Sequence, residues 1–171
     1  MPDLATLNTL DRAAFTGALG HLFEHSPWVA GETWPQRPFR DATHLHTALC
    51  ATMRCAPRPR QFALIRAHPD LAGRLARQNA LTAESTREQA SAGLNRLTDD
   101  ELAEFQRLNT AYLARFGFPF IICARLNAKS AILAAMQARL PNTEETEFTT
   151  ALGEIEKIAQ LRLNDLLEKF T

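Results

Sequence analysis

At 171 residues the chain is long enough to bury roughly 70% of its unfolded surface in one domain without disulfide or metal staples. Its 19 Lys and Arg balance 19 Asp and Glu, which argues against a nucleic-acid binder or a protein held by a charged membrane surface. Cys50, Cys55 and Cys123 form no Cys-x-x-Cys pair, and no apolar run approaches the ~20 residues of a membrane span. The expectation is a single soluble domain over residues 1–171 in a reducing, cytoplasmic compartment. No basic-then-apolar secretion signal opens the chain, and Lys169-Phe170-Thr171 is not a peroxisomal tripeptide.

In chain order the pattern is helical. Asp11 can cap a helix whose apolar face is Phe15, Leu19, Leu22 and Phe23, ending before Ser26-Pro27. Trp28 and Val29 suggest a short amphipathic turn, followed by the loop Trp34-Pro35-Gln36-Arg37-Pro38-Phe39. Helical spacing resumes over 43–55 through Leu45, Leu49 and Met53 until Pro57-Arg58-Pro59 breaks it. Pro59 suits the first turn of the helix leading to His68, and 70–80 reads as a further short helix. Ser85-Thr86-Arg87-Glu88 and Thr98-Asp99-Asp100-Glu101 both have capping-box spacing. The second opens a helix through Leu102, Phe105, Leu108, Tyr112 and Phe116, closed by Gly117. Phe118-Pro119-Phe120-Ile121-Ile122-Cys123 is strand-like, but with an internal proline and no second strand it reads as buried extended chain. Asn127 can cap a helix through Ile132, Leu133, Met136 and Leu140, and Asn142 with Glu145 opens a last helix over about 144–169. The fold expected is all-α, a single-domain bundle of about eight to nine helices with no sheet.

Three residues stand out against this background. His68 precedes a proline, which restricts it to extended geometry, so the helix through Phe62-Ala63-Leu64-Ile65 should stop at or just before it. An imidazole beside the carbonyls of a helix end is suited to proton transfer near neutral pH, and it is equally a plain helix terminator. Arg162 occupies the position that completes the apolar stripe Phe148, Leu152, Ile155, Ala159, Leu166. A guanidinium facing inward must meet a buried carboxylate, snorkel to water, or present its two-pronged donor to an anionic ligand. Glu88 is explained by a capping box, yet with Ser85 and Gln89 it also shares a helical face that can line a pocket. His44-x-His46 puts two imidazoles on different sides of a helix without a completing ligand, so no metal site is expected.

The sequence resembles the 2-oxo-4-hydroxy-4-carboxy-5-ureidoimidazoline (OHCU) decarboxylases of urate breakdown. The likeness rests above all on Ala67-His68-Pro69-Asp70-Leu71-Ala72, with Ser26-Pro27-Trp28-Val29 and Arg37-Pro38-Phe39 before it. It continues through Ser85-Thr86-Arg87-Glu88-Gln89-Ala90-Ser91-Ala92-Gly93-Leu94, Phe116-Gly117-Phe118-Pro119-Phe120-Ile121-Ile122 and Ile158-Ala159-Gln160-Leu161-Arg162-Leu163. These blocks stand in family order from about residue 8 to 168; Arg125-Leu126-Asn127-Ala128 matches less tightly, and no role is carried onto Arg125. The resemblance implies an all-α homodimer with no metal or organic cofactor. It implies His68 and Glu88 as catalytic residues. Pro69, Ser85, Gln89, Arg162 and the backbone around Phe120, Ile121 and Ile122 would line the substrate site, with neither nucleic acid nor membrane as partner.

That substrate carries hydroxyl and carboxylate on C4, beside a C5=N bond that can accept the electrons released with carbon dioxide. The protein would then hold the carboxylate, move protons at the C4 hydroxyl and choose the face protonated at C5, giving (S)-allantoin. Two rivals remain from other classes. One is a non-catalytic helical domain that binds a small anion or regulates; the other is a metal-dependent hydrolase using His44, His46 and His68.

Overall fold

The computed structural model describes residues 3–73 and 81–168. Among the described residues the regular structure is nine α-helices and three short 3-10 turns, with no strand, as the all-α reading expects. They group into two compact units. One takes the chain as far as Ala67 and again from Ile155 onward; the other is His68–Glu154.

In the first unit, helix α1 (Leu4–Thr9) is capped by Asp3 and α2 (Arg12–Leu19) by Asp11, whose carboxylate accepts from Ala14 N at 2.8 Å. The α2 pattern runs on to Leu22 as the tighter 3-10 turn Gly20–Leu22. Gly20 is required there, because a Cβ would stand 2.9 Å from Pro27 Cβ. Helix α3 (Trp28–Thr33) extends the expected short turn to six residues. The aromatic loop after it is a built element: Arg37 lies 4.3 Å over the Trp34 ring and donates to the carbonyls of Asn8 and Leu10. Asp41 caps α4 (Ala42–Cys55) by accepting from His44 N at 2.7 Å. Helix α5 (Arg58–Ala67) has Pro59 in its first turn and ends one residue before His68, where the His-Pro pair requires. Phe15, Leu19, Leu22, Phe23, Val29, Leu45, Leu49, Met53, Leu64, Ile65, Ile155 and Leu163 are all buried. At roughly 1.5–3 kcal/mol for each large side chain, they supply most of what holds this unit together.

In the second unit, α6 (Ala83–Ser91) bears Ser85, Glu88 and Gln89. Its cap differs from the expected one: Thr82 accepts from Ser85 N at 3.2 Å, so Ser85 lies inside the first turn. Helix α7 (Asp99–Phe116) has the full Thr98–Glu101 capping box and closes on Gly117, whose φ of +70° suits glycine. Residues 118–123 lie outside any helix or strand and are buried apart from Pro119; Cys123 is extended, and the 3-10 turn Ala124–Leu126 follows. Asn127 does not cap α8 (Lys129–Arg139); its amide donates instead to the Cys123 carbonyl at 3.0 Å. Helix α9 (Glu144–Glu168) starts behind Thr143, whose hydroxyl accepts from Thr146 N at 3.2 Å. The short helix expected over 70–80 lies largely outside the described residues; of that span, Leu71 and Ala72 form a turn.

Candidate active site

The break after α5 places His68, the first of the candidate residues. His68 is 7% exposed, with Nε2 shielded from solvent, and Pro69 and Asp70 lead into the turn at Leu71-Ala72. That turn is held from two helices of the same unit. Gln89 of α6 accepts from Ala72 N at 3.0 Å and reaches the Asp70 carbonyl at 3.5 Å, and Asn109 of α7 donates to the Leu71 carbonyl at 2.8 Å. Ala72 takes a φ of +52°, a conformation costly for a residue with a Cβ, which these side chains help to maintain.

Gln89 therefore ties the His68–Ala72 segment to the face of α6 that also bears Ser85 and Glu88, one turn before and beside it. Ser85 and Gln89 are buried and Glu88 is half-buried. Helix α6 packs on the 3-10 turn after Cys123. The Cys123 thiol is pushed up by burial and then by the carboxylates of Glu154 and Glu88, which brings Glu88 into electrostatic reach of the extended segment. His68, Ser85, Glu88, Gln89 and the Phe120–Ile122 chain are thus all features of the second unit.

Arg162 lies in the first unit, where it is 5% exposed and both its terminal nitrogens donate to Glu24 Oε2 at 3.1 Å. Its Nη1 also reaches the His21 carbonyl at 3.2 Å. The inward register read from the stripe is present, and Glu24, itself 3% exposed, is a carboxylate that reasoning from sequence did not single out.

The metal reading finds no support among the described residues, where no three His, Cys, Asp or Glu side chains are grouped to hold an ion. His44 Nδ1 accepts from Arg40 N at 3.2 Å, and His46 Nε2 lies 2.9 Å from the Glu156 carbonyl. Cys50 sits 3.3 Å from His46, but burial, with the Glu156 carboxylate, pushes its thiol up to about 12, far from a usable nucleophile.

The model of the OHCU decarboxylase family matches residues 8–164, across both units. The chain belongs to that family. It is 42% identical over 165 residues to the mouse 2-oxo-4-hydroxy-4-carboxy-5-ureidoimidazoline decarboxylase, a match covering 96% of this chain and 93% of the relative. To the protein of the same name from Haloferax volcanii it is 44% identical over 160 residues, covering 94% and 93%. Among solved structures it is similar to (S)-allantoin synthase, with a TM-score of 0.76 and 30% identity over 97% of this chain and 54% of that longer one. The family match thus runs through every block on which the resemblance rested, up to Arg162.

Sequence reasoning missed a second cluster beside the extended segment. Glu147, fully buried, accepts from Tyr112 Oη, from Asn142 Nδ2 at 2.8 Å and from Arg139 Nη2 at 2.8 Å. Burial alone would raise that carboxyl, but the donors of Arg139, Tyr112 and Asn142 outweigh it and hold the group below the usual carboxylate range. Tyr112 reads as core from its spacing. Nothing in the spacing of Arg139 and Glu147 marks them, since they face each other across the α8–α9 turn.

Proposed function

We propose that this protein decarboxylates 2-oxo-4-hydroxy-4-carboxy-5-ureidoimidazoline to (S)-allantoin. Its membership of the family carries the reading, and the arrangement of the second unit supports it: the His68 turn is bonded to the helix that bears Ser85, Glu88 and Gln89. As the C4–carboxylate bond breaks, its electron pair forms a C4=C5 bond, and the C5=N nitrogen takes the charge and then a proton. The substrate thereby acts as its own electron sink. The enol that results gains a proton at C5 while the C4 hydroxyl loses one and becomes the carbonyl of allantoin.

His68 moves the proton at the C4 hydroxyl, and Glu88 orients the imidazole or meets substrate nitrogens. Pro69, Ser85, Gln89 and the backbone of Phe120, Ile121 and Ile122 line the substrate. Arg162 binds an anionic or carbonyl edge of it. The reading includes a homodimer, as the resemblance implies, in a reducing cytoplasmic compartment that suits three free thiols.

The test uses substrate generated in situ from urate, with rate and circular dichroism of the product read together. Wild-type protein is expected to speed decay and to yield one enantiomer, because only a positioned acid selects one face at C5. General acid–base help from one side chain contributes ~10²–10⁴ in rate. His68→Asn should therefore fall toward spontaneous decay, with product drifting to racemic in a protein whose helical content is unchanged. No acceleration by wild type would overturn the function; a single enantiomer at near wild-type speed from His68→Asn would overturn the role of His68.

A further inference from the structure

The segment that follows α7 has an unusual requirement. Residues 118–123 lie outside any helix, and among the described residues no strand lies beside them to fix their register through a ladder. Side chains do that work instead. Glu154 accepts from Cys123 N at 2.8 Å, and Asn127 donates to the Cys123 carbonyl at 3.0 Å, so the segment's end is pinned on both sides. Its middle is held by Arg139. Arg139 Nη1 donates to the Ile121 carbonyl at 2.9 Å, while its guanidinium carbon lies 4.3 Å from the centre of the Phe120 ring.

Arg139 can hold that place because its other edge is fixed. Nε and Nη2 donate to Glu147 Oε2 at 3.0 and 2.8 Å, and Tyr112 and Asn142 hold the same carboxylate. Tyr112 also meets the Phe120 ring edge-on, with centroids 5.3 Å apart. A planar fork bonded along one edge has its remaining donors aimed in set directions, which a flexible ammonium does not offer. A trans peptide is planar, with its C=O and the following N–H pointing opposite ways. Holding the Ile121 carbonyl toward Arg139 therefore turns the Ile122 N–H to the other side of the chain.

We propose that Arg139 is a positioning residue for the reaction: braced by Glu147 and Tyr112, it orients the Ile121–Ile122 peptide so that the Ile122 N–H is presented to the substrate. The inference rests on the proposed function in taking this backbone as substrate-lining. A buried ion pair is a poor stabiliser compared with apolar side chains of equal volume, so its directional arm is what the arrangement provides beyond packing.

The experiment compares wild type, Arg139→Lys and Glu147→Gln by backbone amide hydrogen exchange and by steady-state kinetics on freshly generated substrate. Lysine keeps the charge beside Glu147 but cannot also hold the Ile121 carbonyl in a fixed direction. Glutamine weakens the brace while leaving the guanidinium in place. Arg139→Lys is expected to speed exchange at Ile121–Cys123 by about 10-fold, with the α7 core amides unchanged, and to raise KM by about 10-fold with kcat little affected. Glu147→Gln should move both readouts the same way by less, and it decides the matter if Arg139→Lys fails to fold. Unchanged exchange at Ile121–Cys123 in a folded variant overturns the inference, as does loosened exchange with an unchanged KM. If wild type itself turns over no substrate, the proposed function falls and this reading of the Ile122 N–H as a substrate contact falls with it, whereas an active wild type with unmoved variants removes Arg139 alone.

Discussion

Arg162 shows how far a single residue can be read. Its register on an apolar stripe demands a counter-charge, and the structure supplies Glu24, which lies 138 positions away in the chain. Nothing local to either residue announces the pairing, so the need was legible and the partner was not. Both terminal nitrogens donate to one oxygen of Glu24, and Nη1 also donates to the His21 carbonyl. Arg162→Lys separates the two roles open to it. If Arg162 also binds substrate, loss of the planar fork should cost ~1–3 kcal/mol in kcat/KM, the range for hydrogen bonds to charged groups, alongside some loss of stability. Kinetics and chemical denaturation on the same preparation check this. A stability loss with kcat/KM untouched would confine Arg162 to its pairing with Glu24.

At the scale of the element, α6 is the helix on which the proposed site depends, and Thr82 is what starts it. The Thr82 hydroxyl satisfies the Ser85 amide, one of the first-turn donors that a helix leaves open. Thr82→Ala should cost ~1 kcal/mol, lowering the thermal midpoint by ~2–4 °C in a chain of this size, whereas Thr82→Ser should lose little. Differential scanning calorimetry on the two variants checks it; equal losses would mean that the hydroxyl does not carry the cap. The same helix shows why boundaries misread. Thr82 and Ser85 are both hydroxyl residues three apart, so Ser85-x-x-Glu88 has capping-box spacing one turn inside the helix that Thr82 opens. Helices with strong local signals were legible: the Asp11 cap, the Thr98–Glu101 box, and the His68-Pro69 stop, where proline acts on its immediate neighbour. Helix α1 was not, because in six residues it buries only Leu7. For the site, His68, Glu88 and Arg162 could be flagged from local pattern. The bonds from Gln89 to Ala72 and from Arg139 to Ile121 span 17 and 18 positions and exist only once the helices have packed.

For the whole molecule, the two compact units pose a question of cooperativity that the three thiols can answer. Cys50 belongs to the first unit and Cys123 to the second, and neither is an exposed thiol; Cys55 is exposed. Burial and the Glu156 carboxylate push Cys50 up to about 12, and burial with Glu154 and Glu88 raises Cys123. Since only the thiolate alkylates, both should be nearly inert at pH 8 in the native state, while an unfolded cysteine, with a pKa near ~8.5, reacts readily. Two features argue that the units unfold together. Helix α9 runs from Glu144 to Glu168 and so crosses from one unit to the other as one unbroken helix. The first unit is also built from two separate stretches, as far as Ala67 and from Ile155 onward, with the continuous second unit inserted between them in sequence, so the first unit cannot form from one stretch alone. The expected outcome of a brief iodoacetamide pulse across a urea series is that Cys55 labels throughout, whereas Cys50 and Cys123 become reactive at the same midpoint. Peptide mass mapping reads each site separately. Coincident midpoints would mark one cooperative domain, as expected for a small chain, and the single-domain reading would stand. If Cys123 labels at clearly lower urea than Cys50, the second unit opens by itself, and the turn bearing His68 belongs to the less stable part of the fold.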